Sequence, residues 1–218
     1  MDIAVIGSNM VDLIAYITRM PAEGETVEAP DFKMGCGGKG ANQAVAAARL
    51  GAEVLILSRV GNDIFADNTI ANFRANGIDT RYILKSPAAS GVAPIFVDPE
   101  GHNAIIIVKG ANKLLSADDI ARAAADIRQC KLIMLQLEIP TETVYAAVRF
   151  GVANGIPVLL NPAPAQPDLV LENVNVGDCL NVHKEEEEKS APNFGSQPNN
   201  GAGCGEMQGG GKARKGYA

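Results

Sequence analysis

Short apolar runs separated by longer amphipathic stretches set the plan of this 218-residue chain. Residues 3–6, 54–57, 132–137 and 158–160 are nearly unbroken apolar runs. Strands covered on both faces have that pattern, because neither side of the pleat needs to meet water. Between them, residues 41–50, 65–76, 118–129 and 141–154 carry the wider spacing of helices. Their ends are marked. Gly77 and Gly155 stand where helices stop, Ser116 and Asp119 have capping-box spacing, and Pro140 suits a first helical turn. Strands alternating with helices over about the first 180 residues predict an α/β fold with a parallel sheet.

One region breaks the alternation. Residues 91–97 and 104–108 are β-type runs joined by Asp98-Pro99-Glu100-Gly101-His102-Asn103, with no helix between them. They predict a hairpin over about residues 90–109, either an inserted lid or a plain edge hairpin. Pro94 predicts an edge or a bulge there, since it has no N–H to give a ladder. The character changes again after Leu180. From His183 to Ala218 the only large apolar residues are Phe194, Met207 and Tyr217, and Lys184-Glu185-Glu186-Glu187-Glu188-Lys189 is a charge run. Such a segment buries too little apolar surface to offset backbone entropy. The expected division is an ordered part over 1–182 and a disordered tail over 183–218.

Composition narrows the function classes. At 47% hydrophobic the chain can build a core. A net charge of −6, without basic clusters interleaved with aromatics, argues against a nucleic-acid partner. No apolar run approaches the ~20 residues of a membrane span, so no membrane partner is expected. The start, Met1-Asp2-Ile3-Ala4-Val5-Ile6, lacks the basic segment of a secretion signal. Cys36, Cys130, Cys179 and Cys204 form no C-x-x-C pair and read as free thiols in a reducing cytosol, which makes the expected location cytoplasmic. Cys36 reads as a small neutral spacer. His102 and His183 have neither a second histidine nor a partner carboxylate at ligand spacing, so exposed histidines and no protein-built metal site are expected.

The candidate chemistry begins with Gly35-Cys36-Gly37-Gly38-Lys39-Gly40-Ala41-Asn42-Gln43-Ala44, a glycine loop running into an alanine-rich helix. Gly35, Gly37, Gly38 and Gly40 allow close backbone approach. Lys39 and Asn42 add polar side chains where helix N–H groups are expected to point outward. A P-loop is excluded because Gly40, not Ser or Thr, follows Lys39; a dinucleotide fingerprint is excluded because Gly7-Ser8-Asn9-Met10 has no second glycine. The segment reads as a ligand loop or as a helix-capping turn. Ligands of open α/β sheets bind beyond the carboxyl ends of strands, where Asp12, Glu138 and Asn161 are expected. Carboxylates accept paired hydrogen bonds from hydroxyls, so Asp12 and Glu138 suit a neutral polyol. Each also fits a helix cap or a solvated strand end.

The glycine loop resembles the N-terminal signature of the ribokinase (PfkB) family of carbohydrate kinases, where it holds the sugar. Three other motifs match in order: Asp12 in Gly7-Ser8-Asn9-Met10-Val11-Asp12, then Glu138, then Asn161-Pro162-Ala163-Pro164-Ala165, the last expected as a structural turn. The resemblance implies a ribokinase-like α/β fold, a mostly parallel sheet flanked by helices, with a small β-hairpin lid. It implies pentose contacts from Met10, Asp12, Gly38, Lys39, Gly40, Ala41, Asn42 and Glu138, and a homodimer through the lid hairpin. Met10 stands where ribokinases usually carry Asn, as in deoxyribokinase-like members, which implies a preference for 2-deoxyribose over ribose; the alternative is that Asn9 turns inward and does that job. The family phosphorylates the sugar's primary hydroxyl from Mg-ATP with a monovalent cation. Its Asn-Glu-x-Glu and Gly-Ala-Gly-Asp motifs, the latter bearing the catalytic base, do not occur here, and Gly201-Ala202-Gly203-Cys204 has Cys in place of Asp. The expectation is a sugar kinase truncated at the C-terminus and inactive as written, with no catalytic residue and no bound ATP. The alternatives are a non-catalytic sugar-binding or dimerising module and a frameshifted product whose tail is out of frame.

Overall fold

The computed structural model describes residues 1–167 and residue 169. The proposed tail, His183, Cys179, Cys204 and Gly201 to Cys204 lie outside these.

Five parallel strands form the main sheet: β1 (Ile3–Ile6), β4 (Val54–Val60), β5 (Asp79–Lys85), β8 (Leu132–Leu135) and β9 (Val158–Leu160), in the order β5-β4-β1-β8-β9. The unbroken apolar runs are explained by two separate packed layers. Ala4, Ile6, Leu55, Leu57, Ile133 and Leu135 pack against Ile120, Ala123 and Ile127 of α3 (Ala117–Ile127) and Val144, Ala147 and Val148 of α4 (Thr141–Asn154). On the opposite face Val5, Val54 and Ile56 pack against Ala41 and Ala44 of α1 (Lys39–Arg49) and Phe73 of α2 (Ile64–Ala75). Successive residues of β1 thus serve opposite layers, as the pleat dictates. The alanines of α1 let it lie close to the sheet. Gly155 closes α4 in the left-handed conformation.

The capping box at Ser116 and Asp119 is present, and it carries more than a cap. Asp119 is fully buried and accepts two hydrogen bonds from Arg59, Nε to Oδ2 and Nη2 to Oδ1, both at 2.8 Å. This bidentate pair ties β4 to the start of α3.

A second sheet departs from expectation. The hairpin is there, as β6 (Val92–Val97) and β7 (Asn103–Ile105), but it is half of a four-stranded sheet in the order β3-β2-β6-β7. The other half is β2 (Met10–Tyr16) and β3 (Asp31–Gly37), an antiparallel pair. The alternation therefore breaks twice: β1 passes through Gly7-Ser8-Asn9 straight into β2, and β3 returns the chain to α1. Pro94 lies in an interior strand, not at an edge. The missing N–H is accommodated where the ladder to β7 is interrupted: the Pro94 carbonyl accepts from Ile106, and pairing resumes only as a bridge between Val92 and Val108. His102 is exposed, as expected, but it does have a partner carboxylate. The tight turn brings Asp98 to it, with Nδ1 3.1 Å from Asp98 Oδ2, and Glu100 lies nearby.

Candidate functional site

The two sheets meet where β1 leaves one and β2 enters the other, and Met10, Asp12, the start of α1 and Glu138 lie near this crossing. Asp12 is not a loop residue after the first strand. It lies within β2, on the same face as Met10 because side chains alternate along a strand. Directly across on β3 stand Gly37, opposite Met10, and Gly35, opposite Asp12. Two of the four loop glycines thus belong to a strand. Neither places a side chain on the face that carries Met10 and Asp12. A Cβ on Gly37 would overlap the Asp12 carboxylate, so that carboxylate leans over the glycine.

Gly38 caps α1 with φ +91°, a conformation that L side chains rarely adopt. A side chain there would come within 2.9 Å of Asn9 Cα and Met10 N; at Gly40 it would lie 2.6 Å from Ser8 N and O. These glycines let the helix start cross the β1–β2 turn in contact. The first helical amides do not point outward. Lys39 N–H donates to Glu138 Oε2 at 2.8 Å, Gly40 N–H to Ser8 Oγ at 3.2 Å, and Ala41 N–H to Ser8 O at 2.8 Å. The loop's contribution is therefore closeness, not a row of free donors.

Glu138 follows β8 by three residues and is 4% exposed. Its Oε2 also accepts the Ser8 hydroxyl proton at 2.6 Å. Asp12 is half-buried, and its carboxyl is pushed above the ordinary value, first by burial and then by the Glu138 charge. The site therefore holds two carboxylates near enough to feel each other, and Lys39 starts the helix beside them. Asn42 is exposed and lines a cleft between α1 and α2 with Cys36, Arg49 and Asn72. Burial, and then the Asp12 charge, push the Cys36 thiol up, which favours the neutral spacer role over a reactive one. Asn161 follows β9, its N–H bonded to Leu135 O, and its own carbonyl accepts from Ala163 N–H. The Ala163 carbonyl in turn accepts from Leu137 N–H. That turn braces the segment leading to Glu138.

Three supporting residues lie outside the expected contacts. Ser8 holds Glu138. Asn9 donates through Nδ2 to Ser58 Oγ and to Arg59 O, both at 2.8 Å, so its amide is turned toward the end of β4. Asn112 is fully buried and clamps the backbone of Asn9: its Oδ1 accepts from Asn9 N–H at 3.0 Å and its Nδ2 donates to Asn9 O at 2.7 Å. Their partners lie 49 to 130 positions away, beyond the reach of any local spacing rule.

The model of the pfkB family carbohydrate kinases matches residues 1–205. The chain belongs to this family. It is 65% identical over 170 residues to a deoxyribokinase of Salmonella typhi, covering 78% of this chain and 56% of that protein. It is 44% identical over 168 residues to the ribokinase of Mus musculus, covering 77% of this chain and 52% of that protein. The structure of Arabidopsis thaliana ribokinase, complexed with ribose and ATP, superposes with a TM-score of 0.76 at 28% identity, covering 88% of this chain and 62% of that one. The chain spans a little over half the length of the curated relatives just named. Its fold is that of ribokinase, and none of the helices among the described residues is long and apolar enough to cross a membrane.

Proposed function

We propose that the described residues form the pentose-acceptor half of a ribokinase-type sugar kinase. The observation that carries this reading is that the Asp12 carboxylate lies over Gly37, two residues before Lys39, whose N–H together with the Ser8 hydroxyl fixes one Glu138 oxygen. Asp12 and Glu138 accept hydrogen bonds from the sugar's hydroxyls, Met10 lies on the same face as Asp12, and the chain at Gly38, Lys39, Gly40 and Ala41 lies against the sugar. The relatives' names, deoxyribokinase and ribokinase, support a pentose. Asn42 contributes from the rim of the α1 start.

Met10 supports 2-deoxyribose as the preferred sugar. It is 2% exposed, and the Asn9 amide nitrogen is engaged with Ser58 and Arg59, while the Asn9 Oδ1 is buried without a partner among the described residues. A thioether fills the space left by a missing hydroxyl but cannot pair with one that is present. Leaving a buried hydroxyl unpaired costs about 1–3 kcal/mol. Titration calorimetry is expected to show 2-deoxyribose binding about five- to 150-fold tighter than ribose, with Met10→Asn narrowing or reversing the ratio. A ribose preference in the parent chain would contradict the assignment.

Phosphoryl transfer from Mg-ATP to the primary hydroxyl belongs to this proposal only at the level of the family. The starts of α1, α2 and α3 are engaged within the protein, by Glu138 and Ser8, by Asp63, and by Ser116 with Asp119. The described residues thus offer no cradle of free amides at these three helices for a polyphosphate, and the 218 residues contain no Gly-Ala-Gly-Asp.

A homodimer through the second sheet is part of the same reading. Phe32 and Met34 on β3, and Ile105 and Ile106 at the opposite edge, are each more than half exposed. Exposed apolar residues along sheet edges favour a partner. Sedimentation equilibrium is expected to give a dimer that Ile106→Glu weakens; a monomeric parent chain would rule this out.

A further inference from the structure

Among the described residues, Glu138 is held from one side only. Both of its described protein donors, the Ser8 hydroxyl and the Lys39 amide, reach the same oxygen, Oε2. We propose that Ser8 is a positioning residue for pentose binding: it fixes Glu138 Oε2 so that Oε1 is presented to a sugar hydroxyl. The inference rests on the acceptor-site reading above and assigns a role to a residue outside the expected contacts.

The geometry leaves the Ser8 hydroxyl little choice. A hydroxyl has one proton and two lone pairs. Gly40 N–H donates to Ser8 Oγ, which directs the hydroxyl's own proton to Glu138 at 2.6 Å. Ser8 cannot drift, because it is fully buried and its carbonyl takes the Ala41 N–H. At Gly40 the backbone approaches so closely that a Cβ would be 2.6 Å from Ser8 N and O. The start of α1 is thereby joined to Glu138 twice, directly through Lys39 N–H and by relay through Ser8. A glutamate side chain has several rotatable bonds, and a ligand group held in its bound orientation beforehand loses less freedom on binding. The carboxylate of Asp12, which lies over Gly37, is not among the partners of this relay.

The test is a double-mutant cycle on the 218-residue chain, read as the dissociation constant for 2-deoxyribose by calorimetry. Ser8→Ala is expected to weaken binding about tenfold, as the loss of one charge-assisted hydrogen bond would. In a Glu138→Gln background the same change is expected to cost less than about twofold, because the group it acts through has been altered. In an Asp12→Asn background the full factor is expected. Ser8→Cys keeps a weak proton donor and is expected to recover part of the affinity, and it serves if Ser8→Ala fails to fold. An undiminished loss in the Glu138→Gln background, or no loss in the parent, overturns the inference while leaving the acceptor site standing. Absence of pentose binding by the parent chain removes both.

Discussion

Replacing Glu138 by Gln is expected to weaken pentose binding by about ten- to 150-fold, the loss of hydrogen bonds to a charged acceptor worth about 1.5–3 kcal/mol. The reason is local polarity. Glu138 Oε2 receives two donors, Ser8 O–H and Lys39 N–H. A carboxamide must place its oxygen there to satisfy both, which turns its NH₂ group toward the sugar where an acceptor is required. The opposite flip sets NH₂ against the Lys39 amide and leaves a buried donor unpaired. Either way the site loses. The substitution has a second readout. The Asp12 carboxyl is held above its ordinary value by burial and then by the Glu138 charge. Binding that needs ionised Asp12 therefore fades on acidification at a higher pH than an ordinary aspartate would give. In Glu138→Gln that fading is expected to move to lower pH, as affinity measured against pH will show. For folding the sign is opposite. A carboxyl raised in the folded state binds its proton more readily there than in the unfolded chain, so Asp12's contribution to stability grows as pH falls through its titration range.

The larger stability effect is expected at Asp119. Removing one member of a buried ion pair strands the other, at about 3–5 kcal/mol. Asp119 is 1% exposed at its side chain and Arg59 17%, and both oxygens of the carboxylate are engaged by the guanidinium. The same carboxylate accepts the Ser116 N–H and closes the capping box of α3. Asp119→Ala deletes the pair and the cap together. Urea unfolding of the parent and the variant measures the loss. Lys131→Ala is the control: the exposed Lys131–Asp2 pair is expected to contribute less than about 1 kcal/mol. Equal midpoint shifts for the two variants would show that burial of the Arg59–Asp119 pair does not matter.

What could be read beforehand follows from range along the chain. Runs such as Ile3–Ile6 and Val158–Leu160 are covered on both faces, so they are continuous and stand out. Helix ends at Ser116 and Gly155 depend on neighbours a few residues away and were legible for that reason. β2 and β3 were not. Met10–Tyr16 is buried at its first two positions and half-buried on both sides after them, and Asp31–Gly37 mixes exposed apolar residues with glycines, so neither keeps a clean period of two. Asp12 and Glu138 were legible through motif resemblance. Ser8, Asn9 and Asn112 were not, because what makes them matter is a partner brought close only by the fold. The amides of α1 show the limit from the other side. A glycine loop at a helix start has the composition of a ligand cradle, yet Ser8 and Glu138 occupy its donors.

The central claim is that Asp12 and Glu138 form a pentose site within this chain. Calorimetric titration of the 218-residue protein with 2-deoxyribose tests it most directly, alongside Asp12→Asn and Glu138→Gln. The account predicts saturable one-to-one binding that weakens at least about tenfold in each variant. No saturable binding, or the same affinity in the parent and both variants, would contradict it.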